Sequence, residues 1–222
     1  MERTWETVDR YLTETVVRPD AGYAELQRAA DTAGLPPIQV SAPQGKLLHL
    51  LARMVGARRV LEVGTLAGYS TVWLARAVPD DGRVVSLEID PRHADVARAN
   101  CAAMGVDHVV EVRVGPALDS LSRLAFDNVA PFDLVFIDAD KASIPDYVEW
   151  SIQLSHPGSV IVVDNVIRGG SVVDADSEDP NVQGVRRFNE MLAQDVRIDA
   201  TTIQTVGSKG YDGLTIAVVA EQ

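Results

Sequence analysis

Cysteine is almost absent from this chain of 222 residues: Cys101 stands alone. A disulfide framework is thereby excluded, and the scattered His49, His93, His108 and His156 show no Cys/His ligand spacing, which excludes a structural zinc site. Basic charge is also scarce. Lys and Arg number 20 against 32 Asp and Glu, for a net charge of −12 and a sequence pI near 4.7. Gripping a phosphate backbone or an anionic lipid surface needs the opposite balance, so neither nucleic acid nor a membrane is expected as a partner. There is no run of about 18 apolar residues and no apolar leader after Met1, which points to a cytoplasmic protein. What the chain does have is 46% hydrophobic residues beside 23% charged ones, enough for the core of one domain spanning residues 1–222.

Within that domain, residues 1–56 read as a helical preface. Trp5, Val8, Leu12 and Val16 recur at helical spacing, Ala21 to Ala33 is rich in helix formers and stops at Gly34, and Leu47, Leu48, Leu51 and Met54 mark a third helix. Residues 57–222 read as a sheet core. Short apolar runs at 59–63, 83–87, 109–114, 132–137 and 159–163 alternate with helical stretches at Ser70–Val78, Pro91–Gly105, Pro116–Phe126 and Ile144–Ser155, which implies βαβ units and a parallel sheet. Two further strands, Ile198–Val206 and Leu214–Ala220, are too close in sequence to be anything but an antiparallel hairpin. The expectation is an α/β fold, doubly wound and mostly parallel, with seven strands.

Such sheets bind ligands beyond the carboxyl ends of their strands. The first strand runs into Leu61-Glu-Val-Gly-Thr-Leu-Ala-Gly-Tyr-Ser70, where Gly64 and Gly68 open a turn into a helix. The G-x-G-x-x-G spacing of a dinucleotide site is missing, and Glu62 places a carboxylate where a pyrophosphate would need positive potential. A cationic nucleotide-like ligand suits the loop better than a nicotinamide dinucleotide; a packing turn with Glu62 held by neighbouring donors suits it too. Glu88 ends the second strand, 24 residues after Gly64, where an acid can hold a ribose diol. The fourth and fifth strands end in Phe136-Ile-Asp-Ala-Asp-Lys141 and Val162-Val-Asp-Asn-Val166. On neighbouring strands about 5 Å apart, Asp138, Asp164 and Asn165 converge within reach of one ion. Three oxygen donors suit Mg²⁺, Ca²⁺ or Mn²⁺, although strand-end aspartates also cap helices and turns. A cation there would disfavour the ammonium form of Lys141 and make it a general base; the alternative for Lys141 is a salt bridge to Asp140.

These segments, with Gly115-Pro-Ala117, Arg186-Arg-Phe-Asn189 and Asp212-Gly-Leu-Thr215, together resemble the cation-dependent, S-adenosylmethionine-using O-methyltransferases of the catechol and caffeoyl-CoA type, from about residue 38 to the C-terminus. The resemblance implies a Rossmann-like class I methyltransferase fold. It also implies that Val40, Glu62, Gly64, Thr65, Gly68 and Ser70 serve the methionine end of the cofactor, Glu88 its ribose, and Ala117 and Asp140 the adenine end. Asp138, beside the cofactor, would bind Mg²⁺ with Asp164 and Asn165, and Lys141 would take the proton from one hydroxyl of a vicinal diphenol. Ile167-Arg168 stands where caffeoyl-CoA enzymes tend to carry Leu-Trp, and the loop at 169–180 is acidic. That loop repels a CoA ester's phosphates unless Arg3, Arg10 or Arg18 compensates, so a small neutral or hydrophobic catechol is expected ahead of a CoA thioester, with hydroxycinnamate-like acceptors also in range. The preface offers a homodimer surface. The competing readings are a metal-independent methyltransferase and an NAD(P)-binding oxidoreductase.

Overall fold

The structure, a computed structural model, describes residues 4–129 and 131–221. Seven strands form one sheet in the order β3-β2-β1-β4-β5-β7-β6. These are β1 Arg59–Val63, β2 Arg83–Glu88, β3 Val110–Val114, β4 Phe132–Ile137, β5 Ser155–Asp164, β6 Ile198–Gly207 and β7 Gly210–Val219. The first five are mutually parallel, and β7 runs antiparallel to both β5 and β6. Strand order reverses beside β1, whose neighbours are β2 and β4, so the ligand-binding switch point of a doubly wound sheet lies at the ends of β1 and β4.

Residue parity along the strands sorts side chains between two apolar layers. Val60, Val84, Leu134, Phe136, Val160 and Val162 face a layer built from α2 (Ala21–Thr32), α3 (Ala42–Met54), α4 (Tyr69–Ala75) and α5 (Pro91–Ala103). Leu61, Val63, Val135, Ile137, Ile161 and Val163 face α6 (Ala117–Phe126), α7 (Ile144–Gln153) and α8 (Pro180–Gln194). At the opposite end from the switch point, Asp133 ties three strands together: its Oδ2 accepts from the amides of Arg58 and Arg59 at 2.8 Å each, and its Oδ1 lies 2.9 Å from Nε2 of His156.

Several boundaries differ from the sequence reading. The strand expected from residue 159 starts at Ser155, with a register irregularity: Phe132 pairs with Ser155, but Leu134 pairs with Val160. The bulged His156-Pro-Gly158 stretch carries no apolar pattern, which hid it. The hairpin closes through a two-residue Ser208-Lys209 turn, because Val206 pairs with Tyr211 and Thr205 with Asp212 across what read as a long connection. Helix α8 was not recognised as an element, although Asp179 caps it and Pro180 occupies its first turn. The preface begins with α1 (Thr4–Leu12), extended by a π-helical turn at Thr13–Val17 that ends where Arg18 turns left-handed at φ 46°. Its apolar stripe is not core: Val8, Tyr11 and Val16 stand exposed.

The preface docks through α3, where Gly45 lets the helix lie against the indole of Trp73; a Cβ there would sit 2.3 Å from Trp73 Cδ1. Trp73 is itself buried and stacked on Tyr23 of α2, with ring centroids 4.3 Å apart, so it has no room to yield. Gly45→Ala is therefore expected to destabilise the fold by about 1–3 kcal/mol, read as a lowered urea midpoint. A midpoint equal to wild type would show that the preface is not held by this contact.

Candidate active site

A cleft of about 620 Å³ opens at the switch point, a size suited to a nucleotide-like ligand. Its floor is the loop from β1 to α4. Gly64 there has φ 100°, and a Cβ on it would meet the carbonyl oxygen of Asp138 at 2.2 Å, so only glycine lets the β1 and β4 loops touch. Gly68 turns at φ 81° against Ala97 and does not itself line the cleft. Glu88 does line it. Its Oε2 accepts from the amides of Thr65 (3.2 Å) and Leu66 (2.8 Å), and its Oε1 from Asp90 (3.0 Å). Glu88 thus clamps the glycine loop, and a carboxylate with up to four acceptor positions retains capacity for a ligand hydroxyl.

Glu62, which the resemblance assigns to the methionine end, sits beneath the loop. It shares the face of Val60, is wholly buried behind the loop, and does not line the cleft. Ser70 Oγ donates to its Oε1 at 2.6 Å; Ser86 Oγ (2.6 Å) and Thr71 Oγ1 donate to its Oε2; Thr65 Oγ1 lies 2.6 Å from Ser86 Oγ. Neighbouring donors therefore hold this carboxylate, one of them, Ser70, also lining the cleft. Burial pushes its carboxyl up to about 7, the hydroxyl donors opposing the shift and the Asp138 charge adding to it.

The β4–β5 register pairs Phe136 with Val162 and Ile137 with Val163, which brings the next residues, Asp138 and Asp164, opposite each other. Asp138 lines the cleft, and its Oδ1 receives Lys141 Nζ at 2.8 Å. Lys141 is therefore paired with Asp138 rather than with Asp140, whose oxygens accept from Tyr147 Oη and, at 3.1 Å, the Ser143 amide. Asp164, 4% exposed, has its Oδ1 on the Asn165 amide at 2.8 Å; burial first, then the Asp138 charge, pushes it up to about 7. Two carboxylates this close in a desolvated setting are a donor set short of positive charge, and Lys141 compensates only part of it. Among the described residues no three His, Cys, Asp or Glu side chains gather to hold a metal; the side-chain amide of Asn165, a residue at φ 61° that lines both cleft and groove, would be the third oxygen donor to one. An all-oxygen set of this charge fits a hard divalent cation.

Thr65, Ser70, Ala117, Asp140, Lys141 and Asn165 also line the cleft. Val40 and Asp164 instead line an adjoining groove of about 470 Å³, which shares Asn165 and Arg168 with the cleft. Two features escaped the sequence reading. Gly184 of α8 lies against the Lys141 carbonyl, where a Cβ would come to 2.1 Å, and Asp212 Oδ1 accepts from the amides of Ile167, Arg168 and Gly213 at 2.9–3.0 Å, pinning the loop after β5.

A family model described as O-methyltransferase matches residues 14–218. The chain belongs to the O-methyltransferase family. It is accordingly an S-adenosylmethionine-dependent O-methyltransferase, and the nicotinamide reading falls away. A catechol O-methyltransferase of Mycobacterium tuberculosis is 53% identical over 212 residues, covering 96% of this chain and 94% of that one. Another, from Niastella koreensis, is 47% identical over 215 residues and 97% of each chain. Among solved structures, an O-methyltransferase from Bacillus cereus in complex with SAH superposes with a TM-score of 0.96 at 50% identity, covering 97% of this chain and 98% of that one. TomG from Streptomyces achromogenes, involved in tomaymycin synthesis and in complex with SAM, has a TM-score of 0.96 at 52% identity over the whole of both chains.

The raised carboxyl of Glu62 has a definite sign. Between its ordinary value of 4.5 and about 7 the folded chain holds a proton there that the unfolded chain releases, so this contribution to stability falls as pH rises through that window. Relative to Glu62→Gln, wild type is expected to lose on the order of 3 kcal/mol between pH 4.5 and 7.5, measured by urea unfolding across that range. Parallel pH profiles for the two proteins would show that Glu62 is ionised in the fold throughout.

Proposed function

We propose that the enzyme methylates one hydroxyl of a small vicinal diphenol, with a divalent cation, Mg²⁺ or by the same donor chemistry Ca²⁺ or Mn²⁺, held by Asp138, Asp164 and Asn165. The observation that carries this reading is the opposed pair Asp138 and Asp164, with Lys141 Nζ 2.8 Å from the first and a cleft and a groove meeting beside them. The catechol O-methyltransferase names of relatives at 53% and 47% identity support it. When bound, S-adenosylmethionine supplies an electrophilic methyl group and the cation supplies the Lewis acidity that eases phenol ionisation.

The chain's own residues do the rest. Gly64, Thr65 and Ser70 present the loop to the methionine end, with Val40 closing the groove side and Gly68 setting the turn. Glu88 holds the ribose diol, and Ala117 and Asp140 flank the adenine end. Glu62 acts from behind the loop: a cationic donor in the cleft favours its ionised form, and that negative charge in turn favours the donor. Lys141 Nζ takes the phenol proton, while Asp138 fixes where that nitrogen sits. Opposite charges cancel as the methyl group moves, so orientation and exclusion of water supply most of the acceleration. The exposed apolar residues of α1 support self-association into a homodimer.

Methyl transfer to a panel of catechols and hydroxycinnamates, detected by mass, is expected with Mg²⁺ and not with EDTA. Transfer that ignores EDTA would make the enzyme metal-independent and leave the two aspartates a structural role. Asp164→Ala is expected to retain calorimetric affinity for S-adenosylmethionine while losing transfer, because the cofactor loop comes from other strands; loss of both in a folded variant would refute the division. Lys141→Met is expected to lower kcat about 10²–10⁴-fold, and an unchanged kcat would remove Lys141 as the base.

A further inference from the structure

Four buried side-chain polar atoms lack a hydrogen-bond partner among the described residues, and Arg168 Nε is the one that belongs to a residue lining the cleft. Eight arginines pair with a carboxylate, and Arg186 and Arg187 donate to the carbonyls of Val172 and Ala142. Arg168 is in neither group, and unlike Arg53, Arg59 and Arg123, which are exposed, it is half-buried; its backbone amide binds Asp212, but among the described residues no ion pair engages its guanidinium. In a chain of net charge −12, a half-buried cation without a counter-ion is anomalous. A guanidinium N–H shut off from water and left without a partner carries a desolvation cost.

The position is also held against local strain. Arg168 sits at φ 57°, a left-handed conformation that a non-glycine residue adopts only when its surroundings impose it. Asp212 imposes it, by accepting from the amides of Ile167 and Arg168 together. The result is a guanidinium at the divide between cleft and groove, three residues along the same loop from Asn165. The groove's other charges beyond Asp164 are already engaged. Asp9 accepts from the Ser208 amide and hydroxyl at 2.9 Å, Asp212 holds its three amides, and Lys209 Nζ donates to the Pro37 carbonyl at 2.9 Å.

We infer that Arg168 is a specificity residue that receives a carboxylate carried by the methyl acceptor, so that the substrate class is an anionic catechol, a dihydroxybenzoate or dihydroxycinnamate in its free-acid form. This rests on the diphenol reading above and revises the neutral acceptor expected from the acidic loop at 169–180. Arginine's planar fork suits a carboxylate bidentately, and that pairing satisfies the orphaned Nε–H. A CoA thioester of the same acid has lost the recognised group. With the diol directed to the Asp164 and Asn165 end and the carboxylate to Arg168, both ends of the ring system are fixed, and with them the hydroxyl presented to the methyl group.

The test compares 3,4-dihydroxybenzoate with 3,4-dihydroxybenzamide, and 3,4-dihydroxycinnamate with its amide, on wild type, Arg168→Gln and Arg168→Lys, each variant first shown to be folded by its melting curve. Wild type is expected to favour each acid over its amide about ten- to a hundredfold in kcat/KM, mainly through KM. That ratio falls towards one in Arg168→Gln and recovers in part in Arg168→Lys. Equal use of acid and amide by wild type, or a preference that survives Arg168→Gln, overturns the inference. If no diphenol is methylated, calorimetric titration of the same acid and amide onto protein preloaded with S-adenosylhomocysteine and Mg²⁺ still decides it. An acid preference lost in Arg168→Gln then upholds the Arg168 contact and sinks only the diphenol reaction; no preference sinks the contact itself.

Discussion

Two like charges forced together at adjoining strand ends organise this molecule. The β4–β5 register places Asp138 and Asp164 opposite one another, and the fold supplies only a lysine, an amide and the desolvated flank of the sheet to accommodate them. Neighbouring elements are arranged to hold that arrangement in place. Gly64 brings the β1 loop onto the Asp138 backbone, Gly184 brings α8 onto the Lys141 backbone, and Asp212 locks the loop that carries Asn165. Each contact is backbone against backbone or carboxylate against amide.

Much of this was legible in the sequence because strand ends announce themselves. An apolar run that stops on Asp or Glu, repeated on strands expected to be neighbours, identifies both the sheet and the face where its chemistry lies. Asp138, Asp164, Asn165, Lys141 and Glu88 were located that way, and the structure brings them to one end of one sheet. Glu62 is placed less directly, for a physical reason. It falls on the strand before the turn, and residue parity sends its side chain under α4, where the hydroxyls of Ser70, Thr71 and Ser86 donate to its carboxylate.

Other features were hidden because their signal is not periodic. The start of β5 passes through a bulge with a Pro-Gly pair, and α8 follows an acidic loop that masks its capping Asp179. Arg168 reads in sequence as one surface charge among many. It becomes significant only when the pairing of the other arginines is known, since an absent partner leaves no mark in one dimension. The groove it borders is equally invisible, being lined by segments around residues 9, 37–44 and 205–214 that no local pattern links.

That groove has a consequence for how the protein assembles. The Asp9–Ser208 clasp on its wall joins residues 199 positions apart, whereas the glycine loop, Glu88 and the Asp138–Lys141 turn all fall between residues 59 and 141. Closing so long a loop carries an entropic penalty somewhat larger than that of the central β1–β4 pairing, where Val60 meets Leu134. The groove is thus closed by contacts between opposite ends of the chain, and its shape depends on both ends being docked, whereas the cleft is built from the middle of the chain.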